Sequence, residues 1–235
     1  MGRRGDLMSI RQCSAIRMEN GELTETVGDI CVEETFCLYL NNEFLVELVA
    51  TPHQLKELGA GHIICEGLAS GSTGVPIISD VYVAGDEIRV FASEIQGSGR
   101  SGSDVTINRE DVFDIMSTTT SETWEKTGGT HCSVLFSGKK LVAKSEDVGR
   151  HNTVDKVVGY AVLNNIDLSA CVLGCTGRQP EAMVSKAANA GIPIVVSKSA
   201  STDKGIMAAD EAGITLIGFA REDRFTIYTC PHRMC

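Results

Sequence analysis

Two short segments concentrate the residue types that do chemistry: Gly128-Gly129-Thr130-His131-Cys132-Ser133 and Ser145-Glu146-Asp147-Val148-Gly149-Arg150-His151-Asn152. Paired glycines let a ligand approach the backbone closely, because no Cβ stands in the way. His131 beside Cys132 is a base next to a thiol, and an imidazolium or nearby cation populates the nucleophilic thiolate. Adjacent strand residues face opposite ways, so the pair cooperates only if the turn geometry permits it. Otherwise Cys132 is a small buried strand residue. In the second segment Arg150 is a bidentate donor. The helix expected to start at Asn152 would add free N–H groups and a positive dipole end, which suit a phosphate. Asp147 has two readings, orienting His151 or capping that helix. The plainer reading, two tight turns with incidental polar residues, stays open at this point.

A third segment, Gly174-Cys175-Thr176-Gly177-Arg178-Gln179-Pro180, lies between an apolar run and a helix start and is a weaker anion site. Cys171 and Cys175, four apart, read as core packing. Cys230-x-His232-x-x-Cys235 supplies at most three ligands and has no suitably spaced partner pair, so no metal site is expected.

The elements that must position these groups follow from periodicity and turn residues. Residues 1–30 are polar and read as an arm or edge strand. Thr35–Leu40 and Glu43–Val49 form two strands around Asn41-Asn42, and Val81–Ala84 with Glu87–Phe91 form a hairpin through Gly85-Asp86. Thr51-Pro52-His53-Gln54 predicts a capped helix start, with the helix running to about Glu66 and ending at Gly67. Gln96–Ser103 has the most flexible composition in the chain and suits a mobile loop or linker. Asn108 caps a helix to about Ser117, and 117–121 is the expected boundary between an N-terminal unit (1–120) and a C-terminal unit (121–235). Beyond it, strands at Val134–Phe136, Leu141–Ala143, Leu168–Leu173, Ile192–Val196, Ile214–Phe219 and Phe225–Tyr228 alternate with helices at Asn152–Leu163, Pro180–Ala190 and Thr202–Ala212. That alternation predicts an α/β fold with a largely parallel sheet covered on both faces, its ligands gathered beyond the carboxyl ends of the strands.

Composition narrows the function classes. The 235 residues carry a net charge of −10 and 43% apolar residues. Residues 1–120 hold 8 Lys/Arg against 19 Asp/Glu, a net of −11, whereas 121–235 hold 13 against 12, a net of +1. The acidic half argues against a nucleic-acid binder. The second half can still hold a local anion among Arg150, Lys156, Arg178, Arg221 and Arg224. No apolar run approaches the ~20 residues of a membrane span. The basic Met1–Arg4 start lacks a following apolar region, so a cytoplasmic protein without a signal peptide is expected. Nine cysteines at irregular positions, with no Cys-x-x-Cys pair, do not read as a disulfide framework.

Several of these segments together resemble one family. Gly128–His131, Glu146–Asn152 with Asp155-Lys156, Ala190–Pro193, Gly218-Phe219-x-Arg221-x-x-Arg224 through Thr229, and Glu66-Gly67 are similar to the FdhD/NarQ family of formate dehydrogenase accessory sulfurtransferases. The resemblance implies a cytidine-deaminase-like three-layer α/β/α sandwich with a smaller N-terminal β-rich subdomain, and a homodimer. It implies transient binding of the molybdenum (or tungsten) bis-molybdopterin guanine dinucleotide cofactor. Sulfur would come from a cysteine desulfurase, and the client would be the formate dehydrogenase catalytic subunit. The nucleotide segment falls on Phe219, Ala220, Arg221, Glu222, Asp223 and Arg224. Gly128, Gly129, Asp147, Gly149, Arg150 and His151 complete the expected cofactor contacts, with His131 and Cys132 as the catalytic pair.

The family's sulfur-carrying Cys-x-x-Cys belongs in the loop that here reads Gly97-Ser98-Gly99-Arg100-Ser101-Gly102-Ser103, which has no thiol. Either another thiol has taken over, Cys132 first and Cys65 second, or the chain is a non-catalytic cofactor chaperone. A zinc hydrolase of the deaminase fold would need His-x-Glu and Pro-Cys-x-x-Cys, and both are absent.

Overall fold

The computed structural model describes residues 9–68, 77–93 and 104–235, so the 96–103 loop lies outside the described residues. The polar N-terminal stretch is a hairpin arm. Strands β1 (Ile10–Glu19) and β2 (Glu22–Cys31) pair only with each other. Asn20 and Gly21 turn between them at φ 52° and 86°, the left-handed conformation that two-residue hairpins require. β3 (Glu34–Leu40), β4 (Glu43–Ala50), β5 (Ile77–Ala84) and β6 (Glu87–Ser93) form a second sheet in the order β4-β3-β6-β5, with both expected hairpins present.

Helix α1 (Leu55–Cys65) covers that sheet, packing Leu58, Ala60 and Ile63 on Phe36, Leu38, Ile88 and Val90. It ends, as expected, at Gly67 with φ 67°. Its start differs from the expectation. Gln54, at φ 51°, occupies the cap position, and no side chain caps the helix. Thr51 is taken by tertiary partners instead. Its N–H donates to Asp147 Oδ2 (3.1 Å), its hydroxyl accepts from the Val148 N–H (3.2 Å) and its carbonyl accepts from Lys156 Nζ (3.1 Å).

The remaining elements are α2 (Arg109–Thr118), α3 (Glu122–Thr127), β7 (His131–Ser137), β8 (Lys140–Asp147), α4 (Arg150–Leu163), β9 (Cys171–Cys175), α5 (Glu181–Ala190), β10 (Ile194–Ser197), α6 (Asp203–Glu211), β11 (Thr215–Arg221) and β12 (Arg224–Ile227). Asn108 caps α2 through a capping box with Asp111, and α4 begins two residues earlier than periodicity suggests. The six-stranded sheet has the order β12-β11-β10-β9-β7-β8. Only β9, β10 and β11 run parallel; β12, β7 and β8 are antiparallel to their neighbours. The expectation of a largely parallel sheet is corrected because two-residue turns join β7 to β8 and β11 to β12, and such turns allow only antiparallel pairing.

One face of this sheet carries α2, with Val112, Ile115 and Met116 on Val134, Val172, Ile194 and Ile217. The other face carries α4, α5 and α6, with Val154, Val158, Val184 and Ala209 near Leu135, Leu173, Val195 and Leu216. This is a three-layer α/β/α sandwich, and a β-rich N-terminal portion is attached to it through α1. Among the described residues no helix is long and apolar enough to cross a membrane.

Candidate functional site

The sheet order brings the separated sequence clusters to one edge. β9, β10 and β11 are parallel, so their carboxyl ends share that edge. β7 is antiparallel to β9 and starts there with His131 and Cys132, while β8 ends there, Asp147 standing opposite His131. A cleft of about 540 Å³ opens at this edge. Gly128, Gly129, Thr130, His131 and Cys132 supply one wall, and Thr176, Lys198, Ser199 and Arg221 supply the other from the ends of β9, β10 and β11. Ser121, which caps α3, Trp124 of α3 and Val148 complete it.

Short bonds lock the loops that form the second wall. Arg221 Nε donates to the Lys198 carbonyl (2.7 Å), the Ser199 hydroxyl to the Thr176 carbonyl (2.8 Å) and the Ser197 hydroxyl to the Gly177 carbonyl (2.7 Å). The Thr176 hydroxyl accepts from the Cys132 N–H (3.0 Å) and lies 3.3 Å from His131 Nδ1, which ties the two walls together. Phe219, at φ 51°, sits in a break of the β11–β12 register between Gly218 and Arg221. Such a bulge re-aims the residues that follow it, and Arg221 is thereby presented at the cleft.

The cleft is cationic. Lys198 and Arg221 both line it, and among the described lining residues there is no carboxylate. Burial lowers the Lys198 pKa first, and the charges of Arg221 and Lys144 lower it further, although Cys132 works the other way. Burial also lowers the His131 pKa, aided by Arg150, so the imidazole is neutral near pH 7. Thr130, 7% exposed, has a hydroxyl with no partner among the described residues. These groups describe a place for an anion with hydrogen-bonding oxygens.

Other expected site residues are placed differently. Ala220 is fully buried, while Glu222, Asp223 and Arg224 are exposed at the β11–β12 turn beside the cleft residue Arg221. Asp147 is fully buried and uses its acceptors inside the protein. It takes bonds from Lys156 Nζ (2.6 Å), the Thr51 N–H (3.1 Å), the Gly149 N–H (2.8 Å) and Asn152 Nδ2 (2.8 Å). Gly149 caps α4 through its backbone alone. The first carbons of the Arg150 side chain run past Gly177, where a Cβ would sit 2.9 Å away, and its Nε is buried without a partner. His151 is half-buried, and its pKa is lowered by burial, by Lys186 and by Arg150.

The two thiols singled out by sequence are both buried. Cys132 lines the cleft yet is 1% exposed, and burial pushes its pKa up to about 12. Cys65 is 1% exposed, with its pKa raised by burial and by the Asp155 carboxylate. It belongs to a network joining three helices: Asp155 accepts from Lys186 Nζ (2.8 and 3.0 Å) and contacts His62 Nδ1 (3.2 Å), and Lys186 also reaches Glu66 (2.6 Å). Burial opposes ionisation of Asp155, but His62 and Lys186 outweigh it and hold the carboxyl below its usual range. Thr176, Lys198 and Ser199 carry much of the cleft, and two of them escaped the sequence reading. Their signal is position, directly after apolar strands whose carboxyl ends gather ligands.

A second cleft, of about 720 Å³, lies between α3, the β8 end and His53. Burial, reinforced by Lys156, lowers the His53 pKa to about 4. A folded pKa below the unfolded value of 6.5 means that protons bind the unfolded chain more readily between the two. Stability is therefore expected to be whole above pH 6.5 and to fall as pH drops toward 4, by up to about 3 kcal/mol from this group. Urea unfolding of the wild type and of His53→Asn at pH 7 and pH 4.5 checks this. An equal loss in both proteins would clear His53.

Fold and site together define an α/β/α protein with a cationic cleft at the carboxyl ends of its parallel strands. The FdhD/NarQ family pattern matches residues 83–235, and the chain belongs to that family. It is 38% identical to Protein FdhD of Methanocaldococcus jannaschii, over 85% of this chain and 88% of that protein. It is 30% identical to the sulfur carrier protein FdhD of Bacillus licheniformis, over 93% and 94%. The fold is shared with a crystal structure from Desulfotalea psychrophila assigned as a formate dehydrogenase accessory protein. That match has a TM-score of 0.84 at 24% identity and covers 96% of this chain and 99% of that one.

Proposed function

We propose that this protein is a sulfur-carrying accessory factor in formate dehydrogenase maturation, and that its cleft holds the guanine-dinucleotide form of the molybdenum or tungsten cofactor as cargo. The observation that carries the reading is the meeting of Lys198, Arg221, the Gly128–His131 turn and the Thr130 hydroxyl, unpartnered among the described residues, around one cleft whose described lining has no carboxylate. A pyrophosphate is the part of that cargo such a donor set recognises. Lys198 and Arg221 supply charge, the Gly128-Gly129 backbone permits close approach, and Thr130 and Thr176 supply hydroxyls. Neutral His131 stands ready to take or give a proton at its ring nitrogens. The names of the relatives, a sulfur carrier and an accessory protein, support the same role.

In this reading the sulfur comes from a cysteine desulfurase, the client is the formate dehydrogenase catalytic subunit, and the factor works as a homodimer in the cytoplasm. The exposed Ile16, Met18, Leu23 and Val27 of the hairpin arm favour self-association. Guanosine diphosphate is the practical probe of the cleft. It is expected to bind, and Arg221→Ala and Lys198→Ala are each expected to weaken binding about 10- to 100-fold. That range corresponds to roughly 1.5–3 kcal/mol for a hydrogen bond to a charged group. Calorimetric titration reads the change, and unaltered affinity in both variants would sink the assignment of the cleft.

A further inference from the structure

Sulfur carriage needs a thiol that a donor protein can reach and that borders the cargo. Cys132, Cys65, Cys171 and Cys175 are all buried at 0–1% exposure. Cys31, the last residue of β2, is half-buried and packs on Gly129. A Cβ on Gly129 would sit 2.8 Å from Cys31 Sγ, so this thiol packs directly on a residue of the cleft wall without itself lining the cleft. The next residue along that wall is Thr130, more than nine-tenths buried, with a hydroxyl that has no partner among the described residues. That unpartnered group marks the adjoining space as one built for a ligand.

Thr127 is the hydrogen-bonding partner of Cys31. Thr127 Oγ1 donates its single proton to the Thr123 carbonyl (2.7 Å) and accepts from the Gly129 N–H (3.2 Å). Its 2.8 Å contact with Cys31 Sγ therefore has the thiol as donor. When the thiol loses its proton, the Thr127 hydroxyl can turn and donate to the sulfur, so the thiolate is not left unsolvated.

We propose that Cys31 is the thiol that accepts sulfane sulfur from a protein persulfide and presents it across Gly129 at the cleft. The inference rests on the sulfur-carrying reading above and names the residue that performs it. In the step, the Cys31 thiolate attacks the outer sulfur of the donor persulfide. An S–S bond forms at Cys31, the donor's S–S bond breaks, and the donor cysteine leaves as a thiolate that takes up the proton Cys31 released. The sulfane sulfur keeps its oxidation level, so no oxidant or reductant enters.

The test incubates the full chain with a cysteine desulfurase and cysteine, then reads intact mass and peptide mass. The expected result is one added sulfur on the peptide containing Cys31. Labelling should fall at least tenfold in Cys31→Ser and be unchanged in Cys13→Ser and Cys235→Ser, which remove exposed thiols away from the cleft. A melting temperature within error of wild type confirms that Cys31→Ser is folded; if it is not, the peptide map of the wild type decides alone. Sulfur found on another residue, or retained in folded Cys31→Ser, overturns this inference and leaves the sulfur-carrying reading standing. No added sulfur on any peptide of the wild type overturns both.

Discussion

Gly159→Ala is expected to lower the melting temperature by about 6–12 °C, although alanine is the better helix former. α1 and α4 cross with their backbones in direct contact. A Cβ on Gly159 would lie 1.9 Å from the Glu57 carbonyl oxygen, and one on Gly61 would lie 1.7 Å from the Asp155 carbonyl oxygen. Neither obstacle is a side chain that can swing away, so the helices must separate. Overpacking in cores costs up to about 3 kcal/mol, and each kcal/mol moves the midpoint of a chain this size by roughly 2–4 °C. In an open helix the same change would stabilise by about 1 kcal/mol, so the sign alone discriminates. Gly61→Ala should behave alike. A midpoint unchanged or raised in calorimetry for both variants would show that the crossing is looser than described.

The consequences of such a separation would reach beyond stability. Asp155, whose carbonyl faces Gly61, also binds Lys186 and His62 through its carboxylate. His151, one turn earlier on α4, feels the charges of that network. Displacing α4 therefore disturbs the helix start behind the cleft as well as the core.

Asp147→Ala is expected to cost about 3–5 kcal/mol, the usual consequence of leaving one member of a buried ion pair without its partner. Asp147 and Lys156 are both fully buried and 2.6 Å apart. Burial lowers the Lys156 pKa, and the Asp147 charge and hydrogen bond oppose that fall. Removing the carboxylate would also release the N–H groups of Thr51 and Gly149 and the Asn152 amide, which tie the segment before α1 to the start of α4. The double variant Asp147→Leu/Lys156→Met should recover most of the loss, because apolar residues of similar volume replace buried pairs at little cost. Denaturant unfolding of the two proteins reads the difference. A single variant as stable as wild type, with weaker guanosine diphosphate binding, would instead make Asp147 a contact for the cargo.

Much of the fold was legible. The hairpins at Asn41-Asn42 and Gly85-Asp86, the Asn108 cap and the glycine stops at 67, 191 and 213 are local chemistry, and the structure places them where the sequence reading does. The start of α1 was misread because Thr51 has stronger partners in Asp147, Val148 and Lys156, some ninety residues or more away, than in its own helix. Of the cleft, Gly128–Cys132 and Arg221 were legible by residue type. Lys198 and Ser199 were not, since nothing in Ser197-Lys198-Ser199 separates a site from a surface turn until the strand order is known.

Local pattern was thus enough to determine most of the elements of this protein, though not α3, and the residue types its site would use, while separated motifs carried the resemblance to its family. The tertiary structure decided which of those residues meet. Sheet order is a long-range property: parallel β9, β10 and β11 beside antiparallel β7 carry four separated segments to one edge, and no local signal encodes that pairing. Burial is equally non-local. It made Cys132 a packed thiol and Asp147 an internal partner of Lys156, and it left Cys31, from a strand far away in sequence, beside the glycine wall of the cleft.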